Sequence, residues 1–250
     1  MNFPQQLPLT IEKRWYERRQ RFIPPANCAR PEDYAVAPIP ERHAREFVAL
    51  HHYAGHMPAA RLCVGLLRRR DGHLVGVAVF SHPMSQSVLT KWLGHSNGCE
   101  LGRFCLLDSE GFNAETIFLA RALRILRVEK PTMNAVLSFS DPVERRHPVT
   151  DQILKRAHFG QVYRAKGAEH LGRSSVRSLL VAPDQTVISP RALSKIRAAD
   201  QGREYAERQI VAAGVSPRAP HESGAAWLQR IAGEFTRVHH PGNLAFSFTL

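Results

Sequence analysis

Short apolar runs and amphipathic stretches alternate along the chain, and together they predict a mixture of strands and helices. Residues 34–39, 61–67 and 74–81 read as strands. The last two are joined by Arg70-Asp71-Gly72, and Asp-Gly between apolar runs is a strong hairpin signal. Gly65 and Gly76 inside these runs predict bulges or close backbone approach. Residues 41–53 read as a helix with Phe47, Val48, Leu50 and His51 on its apolar side and Gly55 as stop signal. Residues 83–97 read as a polar loop, where Lys91 and Trp92 are placed to grip a substrate.

Residues 100–141 form the stretch around which the rest is arranged. They predict a strand (100–107), a Gly/Asn turn (108–113), a helix (114–128) and a strand (134–140) ending at Asp141-Pro142. In the helix, Leu119, Ala122, Leu123 and Leu126 make one stripe, with Arg121, Arg124 and Arg127 largely outside it. Such a strand–turn–helix leaves unpaired N–H groups at the helix start, an anion site. Beyond it, residues 149–157 predict a short helix, 160–165 a strand and 171–182 another. Ser189-Pro190 starts a helix with proline at its first position. Helices over 203–213 and 225–233, a turn at 239–243 and a last strand over 244–250 follow.

This order predicts an α/β (α+β) chain: a meander, one crossover, and a mixed, twisted sheet with helices on both faces. Three regions are expected: a basic, aromatic arm (1–31), a catalytic domain (32–185), and a helical extension (186–250) whose last strand packs on the same domain.

Composition sharpens the choice of partner. At 250 residues and 44% hydrophobic content the chain can build a sizeable core. Its net charge of +12 favours a polyanion such as nucleic acid. Residues 11–22 place five Lys and Arg among Trp15, Tyr16 and Phe22. They fit a nucleic-acid backbone, or an amphipathic helix docked through Trp15 and Phe22. Arginine-rich segments at 68–70, 121–127, 145–146 and 191–203 would grip phosphates if they share a surface. Four scattered cysteines without metal or disulfide spacing, and no apolar run near the roughly 18 residues of a membrane span, predict a soluble cytoplasmic protein.

The element order resembles the GNAT acyltransferase fold. His52-Tyr53-Ala54-Gly55, Met57-Pro58, residues 75–80, Glu100-Leu101-Gly102-Arg103, Asn113-Ala114-Glu115, residues 137–141 and Gly160-Gln161-Val162-Tyr163-Arg164-Ala165 together resemble something narrower, the Mom family. These are phage DNA-modification proteins, a divergent GNAT branch that adds a carbamoylmethyl group to adenine N6 and shields DNA from host restriction. The resemblance runs from about residue 33 to 182. It implies double-stranded DNA as partner, a phage or prophage origin, and acetyl-CoA or another activated acyl or aminoacyl donor. It also implies Asp141, Tyr53, Tyr163 and Arg103 as catalytic residues, with Glu100, Arg103, Gly111, Asn113 and Ala114 toward the donor. Ser138, Ser140, Lys91 and Arg164 fall to the substrate. An iron requirement within the family directs attention to His52 and His56.

The residues themselves admit these roles beside plainer ones. Asp141 at a strand end can accept a hydrogen bond from the poorly nucleophilic adenine amine, or simply start an Asp-Pro turn. Tyr53 and Tyr163 can stack on an extruded base or donate a proton, or be core tyrosines. Arg103 can hold a phosphate or carboxylate, or form a structural ion pair. Glu100 and Arg103 share a face only if the strand bulges at Gly102. His52 and His56 are spaced i, i+4 for one metal, but Gly55 ends the helix between them. The chain lacks the glycine-rich phosphate loop of ordinary GNAT enzymes, and about twenty residues separate Asp141 from Gly160. The rival readings are a GNAT acyltransferase acting on protein, tRNA or a small amine, and a non-catalytic DNA-binding protein on a GNAT scaffold.

Overall fold

The computed structural model describes residues 28–147 and 149–250, so the basic aromatic segment 11–22 lies outside the described residues. The described chain divides into two units: residues 28–144, 155–173 and 243–250 in the first, residues 145–154 and 174–242 in the second.

The first unit is built on a seven-stranded sheet. Its elements are β1 (Tyr34–Pro38), α1 (Glu41–His51), β2 (Ala60–Arg68), β3 (His73–Ser81), α2 (Gln86–Leu93), β4 (Gly98–Leu106), α3 (Ala114–Glu129), β5 (Ala135–Ser140), α4 (Gln161–Ala165), β8 (Glu169–Arg173) and β12 (Leu244–Thr249). The strand order is β1-β2-β3-β4-β5-β12-β8, antiparallel everywhere except the parallel pair β4–β5 joined through α3. The last eight positions of β3 are all buried. Successive side chains point to opposite faces, so both faces of the sheet are covered. This is the mixed sheet that the element order predicts.

Both glycines flagged in the hairpin answer to close packing. A Cβ on Gly65 would lie 2.8 Å from Ile39 and Leu74, and one on Gly76 would lie 2.8 Å from Leu106. The turn ahead of α3 is clamped by a buried carboxylate. Glu110 accepts from the Tyr34 hydroxyl (2.8 Å) and pairs with Arg68 (2.9 Å), whose guanidinium also forks onto Asp71. Arg121 donates to the Tyr34 carbonyl (2.8 Å). Arg68 and Arg121 therefore serve the fold and add little to any phosphate-gripping patch.

Several expected elements differ. The loop at 83–97 contains α2, capped by the Ser85 hydroxyl and closed by Gly94 in the left-handed region (φ 78°). Its apolar stripe is hidden among polar residues, with only Leu89 fully buried. The strand expected at 160–165 is the short helix α4, because Gly160 (φ 71°) turns the chain and Tyr163 is buried with Val162 partly buried beside it. The stretch 171–182 is two strands in separate sheets rather than one. The helix expected at 149–157 is replaced by the short pair β6 (Arg145–Arg146) and β7 (Ile153–Lys155).

The helical region expected over 186–250 falls within residues 174–242 of the second unit. It is inserted between β8 and β12, and the chain then returns as β12 into the space between β5 and β8. Leu244, Ala245, Phe246 and Phe248 are buried there, which gives an interior strand its driving force. The second unit holds a three-stranded sheet of β10 (Val187–Ile188), β9 (Arg177–Val181) and β11 (Thr236–His240), with α5 (Pro190–Ala198), α6 (Arg203–Ala212) and α7 (Gly224–Arg230). Its own core centres on Trp227, Ile196, Ile210 and Ile231. Among the described residues no helix is long and apolar enough to cross a membrane.

Candidate active site at the parting of two strands

β4 and β5 pair over three residues only, Gly98 to Glu100 against Ala135 to Leu137. Both strands run on past that point, β4 to Leu106 and β5 to Ser140, without pairing with each other. The parting leaves a slot whose edges carry unmatched backbone groups. In register with β3, Val79 faces Arg103 and Phe80 faces Leu101, so Gly102 is the extra residue of a bulge. A Cβ there would lie 2.4 Å from Ser81 Oγ. The bulge places Glu100 and Arg103 on the same side, as the sequence reading required.

Arg103 is held by backbone. Its Nε donates to the His56 carbonyl (2.9 Å) and its Nη1 to the Gly102 carbonyl. Burial pushes its pKa down, and the neighbouring Tyr53 and Glu100 oppose that shift. Burial pushes the Glu100 carboxyl up, with Arg103 pulling it back. The slot thus favours a carboxyl that takes a proton more readily than an ordinary glutamate. The Cys105 thiol is pushed up to about 12 by burial, which leaves no ready thiolate beside it.

Tyr163 sits in the core, edge-on to Phe246 (5.5 Å) and Phe248 (5.9 Å). Its phenol is pushed up to about 12, chiefly by burial, with Ser138 opposing and Tyr53 and Glu100 adding to the rise. It is therefore a neutral hydrogen-bonding group. Ser138 and Ser140 project from the same face of β5, and both hydroxyls are buried without a hydrogen bond of full geometry. The Ser140 hydroxyl, buried without a partner among the described residues near the Ser138–Tyr163 pair, suits a polar ligand.

Tyr53 is 57% exposed, and its ring stacks on His52 at 4.4 Å. Lys155, which no sequence signal singled out, lies 5.7 Å from the Tyr53 ring centroid. The Lys155 side chain is almost fully buried. Its Nζ donates to the carbonyls of Asp141 (2.9 Å) and Val143, and pairs with Asp141 Oδ2 at 3.3 Å. Asp141 Oδ1 accepts from Val143 N–H (2.9 Å). Asp141 starts the turn, and its carboxylate is ion-paired with the lysine that lies over the Tyr53 ring. His158 packs edge-on against Tyr163 (5.2 Å), and its N–H bonds the Asp141 carbonyl (2.9 Å).

Other expected residues lie elsewhere. Lys91 sits over Trp92, whose ring meets Phe139 on the opposite face of β5 from Ser138 and Ser140. Arg164 lies 5.4 Å over the Phe246 ring, in reach of the cluster but not aimed by any contact. Gly111, Asn113 and Ala114 begin α3, where Asn113 adopts φ 70° and the Ala114 N–H is taken by the Gly111 carbonyl. With Glu115 in the first turn, this is a sparse cradle for a diphosphate.

The histidine pair does not form a metal site. α1 ends at His51, and His52 has extended ψ (130°), so His52 and His56 do not share a helix face. His52 Nδ1 accepts from Ala54 N–H (3.1 Å), while His56 Nδ1 lies 2.6 Å from the Ala54 carbonyl. Among the described residues no three His, Cys, Asp or Glu side chains are grouped to hold an ion. The residues present do not fit iron.

His52 instead reports on pH. Burial first, then Arg103 and His56, push its pKa down from 6.5 to about 3. The unfolded chain takes up a proton below 6.5 that the folded chain refuses. This contribution to stability is therefore full above pH 6.5 and is lost as pH falls toward 3. A His52→Asn variant, compared by urea unfolding at pH 7 and pH 5, should lose about 2 kcal/mol less than the unmodified chain over that interval. Equal losses would contradict the burial argument.

A search of curated protein sequences gives no match. Among solved structures the chain is similar to a ribosomal-protein-S5-alanine acetyltransferase from Vibrio fischeri, at 10% identity and TM-score 0.38 over 57% of this chain and 83% of that one. It is also similar to a tandem GNAT protein from the clavulanic acid biosynthesis pathway, at 11% and 0.42 over 86% and 98%. A third is a mosquito arylalkylamine N-acetyltransferase like 5b, at 9% and 0.42 over 87% and 100%. The sequence model of the Mom protein family matches residues 33–221. That span takes in Tyr53, Glu100, Arg103, Ser138, Asp141 and Tyr163, and the chain belongs to the Mom protein family.

Proposed function

We propose that this protein is a DNA-modifying transferase that adds a carbamoylmethyl-type group to the N6 amine of adenine. The observation that carries the reading is the convergence of Tyr53, Glu100, Arg103, Ser138, Asp141 and Tyr163 where β4 and β5 part, inside the span matched by the Mom family. The net charge of +12 supports a polyanionic substrate.

An adenine amine is a weak nucleophile and reacts only when well placed. Tyr53, largely exposed and backed by the Lys155 ammonium, offers a flat face for a base swung out of the duplex. The Asp141 carboxylate, aimed by Lys155 and the Val143 N–H, accepts the hydrogen bond of the amine as positive charge develops on nitrogen. The neutral Tyr163 phenol and the Ser138 hydroxyl orient the transferred group. Arg103, pinned to two carbonyls, faces the donor's polar end with its remaining N–H groups. The transferred carbon is a methylene, so the donor must carry a leaving group there: the N6–C bond forms as that bond breaks, and Asp141 takes the amine proton, whereas acyl transfer from a donor such as acetyl-CoA would give an amide instead.

DNA propagated in cells making the protein should resist endonucleases that read adenine N6, and DNA from cells making Asp141→Asn should be cut. Full cutting with the unaltered protein present would remove this reading. Acylated protein or RNA in the same cells would favour ordinary GNAT chemistry.

A further inference from the structure

The second unit carries a cavity of about 360 Å³ bounded by α5, α7 and the face of β9 and β11. Leu180, Leu193, Leu228 and Phe235 give it an apolar floor, and Arg197 and Arg237 stand at its rim. Leu193 and Arg197 are one helical turn apart on α5, and Arg237 pairs across strands with Leu180. Both guanidiniums are exposed, and neither has an ion-pair or hydrogen-bond partner among the described residues.

The contrast with the rest of the unit is informative. Arg146, Arg218 and Arg230 are each bound to a carboxylate, Asp151, Glu207 and Glu222. No acidic residue lines the cavity. The unit holds eleven Lys and Arg against seven Asp and Glu. Two uncompensated guanidiniums over an apolar floor match a ligand with phosphates beside an apolar body. A nucleic-acid strand has that alternation, with phosphates for the arginines and the sugar and base for Phe235 and the leucines.

We infer that this cavity is a second DNA contact, holding one strand through two phosphates at Arg197 and Arg237, outside the modification site. The inference rests on DNA being the substrate. An acidic amphipathic peptide would satisfy the same arginines, but the excess of basic charge across the unit and the chain favours the longer polyanion.

The test is duplex DNA binding across a range of salt concentrations, for the unaltered chain, Arg197→Ala/Arg237→Ala and Arg197→Lys/Arg237→Lys, with circular dichroism to show equal folding. Each phosphate contact adds about 0.9 to the slope of log K against log salt. The double alanine variant should bind about tenfold or more weakly, with a slope lower by about 2, and the double lysine variant should keep the slope. Equal affinity and slope in all three chains would overturn the inference and leave the modification site untouched. DNA binding indifferent to both arginines, with an acidic peptide bound only by the unaltered chain, would overturn it in favour of a peptide site. Absence of salt-dependent DNA binding by the unaltered chain would remove the DNA reading itself.

Discussion

Replacing Lys155 by methionine is expected to cost the fold about 3 kcal/mol and the reaction at least about 100-fold in rate. The ammonium is nearly buried, and Asp141 is only 16% exposed at its side chain. Removing one partner of such a pair takes the buried ammonium away from the carboxylate and from the carbonyls of Asp141 and Val143 that it satisfied. It also removes the cation beneath Tyr53. The loss in rate follows from geometry, since a carboxylate that drifts by about 1 Å loses its aim at the amine. Chemical unfolding and nucleoside turnover measured on Lys155→Met, Asp141→Asn and the double variant give the coupling directly. A coupling of about 2 kcal/mol in stability is expected. Additive losses would show that the pair does not act as a unit.

Gly160→Ala is expected to be the most damaging single-methyl change in the first unit. Gly160 has φ 71°, and an added Cβ would lie 2.3 Å from the Phe246 ring. The left-handed backbone costs an alanine about 1–2 kcal/mol, and displacing a packed ring costs about 1–3 more. A total near 3 kcal/mol is expected, or a fall in Tm of about 6–12 °C. Gly167 supplies the comparison, since it also has positive φ (85°) but nothing within 4 Å of an added Cβ. Gly167→Ala should lose only about 1 kcal/mol. Phe246 and Tyr163 share an aromatic contact, so Gly160→Ala should also lower activity while Gly167→Ala should not. Equal Tm values for the two variants would show that the ring gives way freely.

Strands β1 to β5 of the first unit were legible because each carries its own signal. Asp71-Gly72 announced the β2–β3 hairpin, and Gly102 announced the bulge that brings Glu100 and Arg103 together. Helix α3 was legible from its stripe of Leu119, Ala122, Leu123 and Leu126. What escaped depended on distant partners. Gln161 to Ala165 alternates like a strand, yet Gly160 and the aromatic ledge of Phe246 and Phe248 make it a helical turn. No local pattern shows that 174–242 is an insertion, because only the return of β12 beside β5 reveals it.

The same division holds for the site. Tyr53, Glu100, Arg103, Ser138, Asp141 and Tyr163 were named from their order along the chain, and the fold gathers them at the slot. Lys155 was invisible, because a lone lysine in an Ile-Leu-Lys run looks solvated until Asp141 and two carbonyls surround it. His52 and His56 look like a metal pair by spacing alone, and the end of α1 at His51 separates them.

Nucleoside mass spectrometry on DNA from cells making the protein tests the central claim most directly. The account predicts a deoxyadenosine heavier by one carbamoylmethyl-type group, abundant with the unaltered chain and lost with Asp141→Asn and Tyr163→Phe. Unmodified deoxyadenosine in the presence of the folded, unaltered chain and its activated donor would contradict it.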